Sequence, residues 1–387
     1  MALSLRFNRN YLFLFTLKEN SILRFIMLYR KVFIIISTIT FVMAFSFSAF
    51  AVSGGGDKDD KKFNAGDMIL HHIGDSHDWH VLDWKSKPIS IPLPIILFHE
   101  GVGLSIFMSS KFHHGEDVYV PTNKQWGYKL DHGSIYVVNN SGELNNFESK
   151  KLWDLSITKN VFSLLVTIMI LLVVFLRASR LYKKDAYSVP RGLRGVLEII
   201  ILFVRDDIAK PAIGNKYYSK YLPFLLTVFF FILLSNLMGL VPVFPGGANL
   251  TGNIAIPMVM ASMVFIITTL SGKKSYWKHI FAMPGVPKPV LLILTPIEII
   301  GVLLKPLVLM IRLFANITAG HIIVLSFFSL IFIFGEISPF AGYGASIISI
   351  AFVVFMTMLE LLVAFLQAYV FTLLSAIYFG SAVEEEH

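Results

Sequence analysis

The fold class predicted by the sequence is an all-α polytopic membrane protein with about five transmembrane helices, including a long, steeply tilted helical hairpin. A small extracytoplasmic region with some β-structure is expected near the N-terminus. Three observations carry this. Hydrophobic residues make up 55% of the 387 and charged ones only 15%, in apolar runs long enough to cross a bilayer. Lys and Arg gather beside those runs, as they do where charge sets membrane orientation. The last two apolar segments are also far longer than a perpendicular crossing needs. The absence of Cys removes disulfides, thiolate metal sites and thiol catalysis together. The net charge of +8 would suit nucleic acid, but its placement around apolar runs assigns it to orientation in a bilayer, with no nucleic-acid partner.

Along the chain, Arg30 and Lys31 precede an apolar run from Val32 to about Phe47, followed by Ser48-Ala49-Phe50-Ala51. These are the n-region, h-region and small-residue cleavage site of a secretory signal, so residues 1–51 read as a signal peptide cut after Ala51. Met27 would serve as a start codon, making 1–26 an upstream extension, and an uncleaved anchor helix is the competing reading. Residues 52–155 read as an extracytoplasmic extension. It opens with the solvated linker Gly54-Gly-Gly-Asp-Lys-Asp-Asp-Lys-Lys62. The runs Ile89–Phe98, Leu104–Phe107 and Tyr128–Val138 then read as strands, the last with a turn at Asp131-His-Gly-Ser134. Eight of the eleven His lie here, among them His71, His72, His77 and His80. His77 and His80 stand near Asp75 and Asp78, but the spacing matches no closed metal site, and a polar patch at the membrane surface is the preferred reading.

The membrane domain is placed at 156–387, with spans near 161–178, 222–243, 254–271, 295–334 and 346–379. Arg177, Arg180, Lys183, Lys184, Arg191 and Arg194 mark the cytoplasmic end of the first. Gly192 to Ile213 mixes apolar residues with charges and reads as an interfacial amphipathic helix. The loop after the second span carries no Lys or Arg up to Asn253, and Lys273, Lys274, Lys278 and Lys288 follow the third. That alternation puts the N-terminal segment outside and the C-terminus in the cytoplasm. Asn236, Asn249 and Asn253 read as helix caps or lining of a mouth.

Thr295-Pro296-Ile-Glu298 has the form of a capped helix start, with Thr as N-cap and Glu reaching back. From there the apolar pattern runs about 39 residues, roughly 58 Å; Ser346–Phe379 adds a second segment of about 34 residues, roughly 51 Å. Fitting the shorter one into a hydrocarbon core of about 30 Å requires a tilt near 54°, which points to a slanted hairpin held against another protein. Its turn is expected at Gly335–Gly344, centred near Phe340. Counting outward from that centre sets His321 level with Glu360 and Arg312 level with Gln367. His321–Glu360 then becomes a candidate proton-exchanging pair, with Gln367 the neighbour of Arg312.

Arg312 is the most informative residue. An arginine at bilayer depth costs a few kcal/mol on insertion scales, and no Asp or Glu lies within two helical turns of it. Its counter-charge must come from elsewhere in the fold or from another protein. At 100° per residue, Ala315, Asn316, Ala319 and Gly320 fall within about 80° of Arg312, whereas His321 points about 180° away. Arg312 thus shares a face of small residues that lets a second helix approach closely.

These residues resemble the a subunit of the F-type ATP synthase, the stator half of its proton channel, over about residues 153–387. Arg312-Leu-Phe-Ala-Asn316-x-x-Ala-Gly320 matches the family's strongest signature. Leu366-Gln367-Ala368-Tyr369-Val-Phe371 matches a second, and Ser235-Asn236-Leu-Met-Gly-Leu-Val-Pro242 a weaker third. The resemblance implies that Arg312 faces the membrane carboxylate of a rotating c-subunit ring, with Asn316 and Gln367 as polar supports. It places His321 and Glu360 in the outer half-channel and Glu298 in the inner one. It also implies b subunits of a peripheral stalk, the rest of the ATP synthase complex and the lipid bilayer as partners, a bacterial inner membrane as location, no cofactor or metal, and no catalysis by this chain itself. Many relatives carry the acid at the position of His321 and the His at that of Glu360; a swapped pair keeps its chemistry if the two touch. Read from the residues alone, a secondary transporter would show repeated halves and a membrane hydrolase a nucleophile or metal motif; neither pattern is evident.

Overall fold

A computed structural model describes residues 64–84, 87–115, 118–120, 126–131, 133–139, 143–184, 192–241, 244–283 and 286–384. The signal-peptide reading, the possible start at Met27 and the linker at 54–62 lie outside the described residues.

The outer region begins with helix α1 (Ala65–Ile73) and a hairpin of β1 (Asp78–Trp84) and β2 (Lys87–Pro92). Strand β3 (Pro94–His99) is the centre of a three-stranded antiparallel sheet, flanked by β4 (Gly103–Met108) and β8 (Leu152–Asp154). Strands β5 (Val118–Tyr119), β6 (Gly127–Asp131) and β7 (Ser134–Val138) form a second sheet, and the short helix α2 (Asn146–Ser149) precedes β8. The β6–β7 hairpin closes where Asp131 pairs with Ser134, at the turn the sequence marks. Ile95 and Leu97 from the first sheet meet Phe112, Tyr128, Ile135 and Val137 to form the core between the layers. Two histidines depart from the expected polar patch. His77 and His99 are buried, and each ring answers a carboxylate: His77 Nε2 to Asp154 Oδ2 at 3.1 Å, and His99 Nε2 to Glu148 Oε2 at 3.2 Å. A buried polar ring without a partner would be costly, so each is held by an acid from a distant strand or helix. No group of three or more metal-ligating side chains occurs among the described residues.

Helix α3 (Lys159–Lys184) follows β8 directly. Its N-terminus is tied back to the outer region. Asp75 accepts from the Asn160 backbone N–H at 3.0 Å and from Thr158 Oγ1 at 2.8 Å, and Lys159 Nζ donates to the His72 carbonyl at 3.3 Å. Beyond it, α4 (Leu193–Phe203), a π-helical segment (Val204–Ala209) and α5 (Lys210–Ile213) run on without a break. Asp206 accepts from Arg205 and Lys210 there, and those bonds hold its carboxyl well below the usual range. Next come α6 (Tyr218–Leu240), α7 (Ala255–Ser271) and α8 (Lys274–Phe281), then the long helices α9 (Lys288–Ile337) and α10 (Pro339–Val383). Four described helices are long and apolar enough to cross a membrane, or up to five if α7 and α8, bent by 104° at their junction, count as one span. The core of this bundle joins Leu225, Phe229 and Ile232 of α6 to Leu309 and Leu313 of α9 and to Phe371 and Phe379 of α10.

Two sequence readings of the hairpin are corrected. Helix α9 starts at Lys288, after Pro287 as N-cap, and Pro296 lies in its interior. Pro289 already occupies the first turn, where a missing N–H costs nothing, and the residues after it are good helix formers. Thr295 therefore caps nothing; its hydroxyl donates to the Phe281 carbonyl at 3.3 Å. The turn is also far shorter than Gly335–Gly344. Only Ser338 separates the helices, its hydroxyl accepting from the Ala341 N–H at 3.1 Å with Pro339 in the first turn. The glycines serve a crossing instead: a Cβ on Gly342 would come within 2.9 Å of the Gly335 Cα. The helices have 50 and 45 residues, about 75 and 68 Å, more than twice the hydrocarbon core.

Candidate functional site

The antiparallel hairpin brings the expected pair together. His321 on α9 and Glu360 on α10 approach to 4.0 Å between Nδ1 and Oε1. Glu360 is 9% exposed, and its carboxyl occupies the space where a side chain on Gly320 would begin. The motif glycine is thus buried and leaves room for the acid, unlike the rest of its small-residue face. On the far side of His321 lies α6, with Nε2 3.8 Å from where a Cβ on Gly239 would stand. Nearby Met238 accepts from Thr167 Oγ1 of α3 at 3.4 Å. Three helices, α9, α10 and α6, therefore meet at the pair, and α3 packs against α6.

Arg312 sits on another face. About 13 Å along α9 from His321 at 1.5 Å per residue, it is exposed, as are Ala315, Asn316 and Ala319. Its guanidinium makes no hydrogen bond or ion pair with any described residue. Gln367 is the neighbour the register implies, but its bond is to the backbone: Nε2 donates to the Leu313 carbonyl at 2.7 Å and to that of Arg312 at 3.3 Å. Its Oε1 accepts from Asn236 Nδ2 at 3.2 Å, and Asn236 Oδ1 accepts from Thr251 Oγ1 at 2.7 Å. This buried chain of amides ties α6, the loop before α7 and α10 to the peptide groups beside Arg312.

Asn316 is on the exposed face and hydrogen-bonds to no described residue, so the structure does not bring it to Gln367. Glu298 lies about 21 Å along α9 from Arg312, half-buried and with no described partner. The capping role that would have accounted for it is absent, because the helix starts earlier. Lys305 places its ammonium over the Tyr378 ring at 5.6 Å.

Sequence reasoning missed Asn236 as a strut, taking it for a cap or the lining of a mouth, because Pro242 and the following glycines advertise a helix end six residues on. It also missed the polar face of α3. Asn160, Ser163 and Thr167 are buried, and their spacing of three and four residues puts them on one side of an apolar span. That spacing was the available signal. Asn160 Oδ1, Ser235 Oγ and Thr318 Oγ1 are buried without a protein hydrogen bond among the described residues. A bundle interior that holds such atoms and an acid–imidazole pair is suited to passing protons.

Comparison with known proteins adds family information. The profile of the ATP synthase A chain matches residues 161–380, and that of a domain of unknown function matches residues 68–155. ATP synthase subunit a 2 of Chlorobaculum tepidum is 45% identical over 237 residues, 59% of this chain and 64% of that protein. ATP synthase subunit a of Chloroherpeton thalassium is 41% identical over 238 residues, covering 60% of this chain and 68% of that one. For ATP synthase subunit a of Myxococcus xanthus the figures are 41% over 241 residues, 60% and 75%. The match to the first of these spans just under two thirds of its length.

Proposed function

The chain belongs to the ATP synthase A chain family, matched over residues 161–380, and on that premise we propose that it is the proton-translocating stator subunit of the membrane sector of an ATP synthase. It conducts ions within the complex and catalyses nothing alone. Arg312 faces a carboxylate carried past it by a ring of c subunits. Opposite charge at short range in a low-dielectric setting favours the ionised acid, so the ring carboxylate releases its proton as it reaches the guanidinium. A proton arriving from outside passes through His321 and Glu360 to the next ring carboxylate. A fixed cation between the routes also bars a direct leak, since a proton crossing its position would meet like charge. Glu298, on the inner side, serves the exit. Gln367 fixes the height of the Arg312 backbone, and Asn316 lines the ring-facing surface.

The observation that carries this is the contrast between an exposed arginine with no ion-pair or hydrogen-bond partner among the described residues and a buried acid–histidine pair on the same hairpin. A ring of small helices supplies what Arg312 lacks and fits the narrow face of Ala315 and Ala319. The b subunits of the peripheral stalk hold the chain against rotation. Basic residues at the ends of α3 and α7 support a C-terminus in the cytoplasm and an outer region facing away from it, in a bacterial inner membrane. A solute transporter has no comparable observation in its favour. Replacing Arg312→Ala in the assembled complex is expected to abolish proton-driven ATP synthesis in reconstituted vesicles; synthesis at the normal rate would overturn the assignment.

A further inference from the structure

The outer region contains a sheet whose solvent side has the composition of an interior. In the register of β3 with β4 and β8, Phe98 stands opposite Leu104 and Trp153, Ile96 opposite Ile106, and Pro94 opposite Met108. The ladder continues past β8, because the Leu155 and Ile157 N–H groups donate to the Ile96 and Pro94 carbonyls at 2.9 and 3.0 Å. Directly opposed residues point to one face of a sheet. Nine apolar side chains therefore share that face in three rows, without one charge among them. Ile106 is 65% exposed, Leu155 61% and Trp153 60%. The opposite face, with Ile95 and Leu97, is already buried in the core. An antiparallel sheet with one side packed normally turns polar residues outward, and an apolar patch of this kind marks an interaction site.

We propose that this face lies on the lipid bilayer and that the outer region is a membrane-surface module. This rests on the chain being a multi-pass membrane protein, and not on the roles given to Arg312 or Glu360. The lowest row ends at Ile157, and the first residue of α3 is Lys159. Val161, Leu165, Met169 and Leu172 of that helix are exposed apolar residues at helical spacing, and only 11% of its apolar window is buried. The sheet surface thus continues, within four residues of Ile157, into a lipid-facing stripe. Three rows two residues apart span only about 13 Å, so a lean of the sheet brings all of them within the roughly 5–10 Å depth that interfacial elements reach. Trp153 turns its ring outward while Nε1 donates to Glu100 at 3.4 Å, the amphipathic placement of an interfacial tryptophan. A protein partner would be expected to find polar anchors at a patch of this size, and the rows offer none.

The chain has no Cys, so Ile106→Cys and Leu155→Cys each give a unique spin-label site on an exposed side chain. In the assembled complex in liposomes, oxygen collisions should exceed those of a water-soluble nickel chelate severalfold at both positions, with the order reversed at Glu143→Cys on the exposed loop before α2. Nickel access at 106 and 155 matching that at 143 would overturn the proposal in favour of water. Exclusion of both quenchers would overturn it in favour of a covering protein. ATP synthesis by the same labelled vesicles reports the stator function separately.

Discussion

Glu360 lies buried on α10, 4.0 Å from His321 and against Gly320 of α9. Arg312, on the other arm of the same hairpin, holds its guanidinium in the open with no hydrogen bond or ion pair to any described residue. Both are ionisable groups at bilayer depth, where an uncompensated charge is expensive. The fold completes one site and leaves the other unfinished. A group completed within its own chain can keep a fixed geometry, whereas one completed by a neighbour must stay accessible. That division is what the proposed role, a stationary channel wall beside a moving rotor, requires.

The largest effect that tests this contrast is the loss of synthesis expected for Arg312→Ala, since no neighbouring group can replace the cation. Next comes Gly320→Val, which aims a branched side chain at the Glu360 carboxyl. It should lower proton-driven synthesis at least about tenfold, or ~1.4 kcal/mol in activation terms, while the complex still assembles; an unchanged rate would place Glu360 outside the proton route. Exchanging His321 and Glu360 in a double variant should recover part of the activity lost in either single one. Equal losses in singles and double would show that the two do not act as a pair. Gln367→Leu takes from the buried Asn236 Nδ2 the oxygen that accepts its hydrogen bond, and from the Leu313 carbonyl its second donor beyond the helix bond. A destabilisation of about 1–3 kcal/mol is expected, read as a lower thermal midpoint of the purified complex, with faster backbone exchange near Arg312.

The smallest effect is expected in the outer region. Burial pushes the Asp154 carboxyl up, but hydrogen bonds from His77 and Ser156 outweigh it and hold the group below the ordinary value of 3.8. A depressed folded value means that the stabilisation is present above pH 3.8 and is lost as the pH falls through the lower folded value. Acid titration of tryptophan fluorescence should show the strands loosening in that range, and Asp154→Asn should remove this pH-dependent part. Synthesis at neutral pH should not change.

The sequence made the depth pairing legible better than the local geometry. His321–Glu360 and Arg312–Gln367 meet because two antiparallel helices keep matched depths. Counted from Ser338, the arms are 17 and 22 residues for the first pair and 26 and 29 for the second, offsets of at most about one and a half helical turns. The turn was misplaced because glycine has two uses. Gly335 and Gly342 looked like loop formers, but they serve close helix contact, and single-residue logic does not separate the two. The start of α9 was misplaced because Thr295-Pro296-Ile-Glu298 satisfies every local rule for a cap, while a second proline seven residues earlier satisfies them sooner. Asn236 was invisible as a strut because its hydrogen bond to Gln367, 131 residues away, leaves no trace in spacing. The apolar outer face of β3, β4 and β8 was hidden for another reason: Leu104–Phe107 reads as an ordinary strand until the register sets Leu104 and Ile106 beside Phe98 and Ile96 on the exposed face.

With Ser338 as the whole connection between two long helices, the hairpin has no slack at its tip. One inserted residue there would swing the following helix by about 100° and carry Glu360 away from His321. Lineages that lengthen this protein are therefore expected to add sequence at its ends or in the outer β-layer, and to keep the length of that corner invariant.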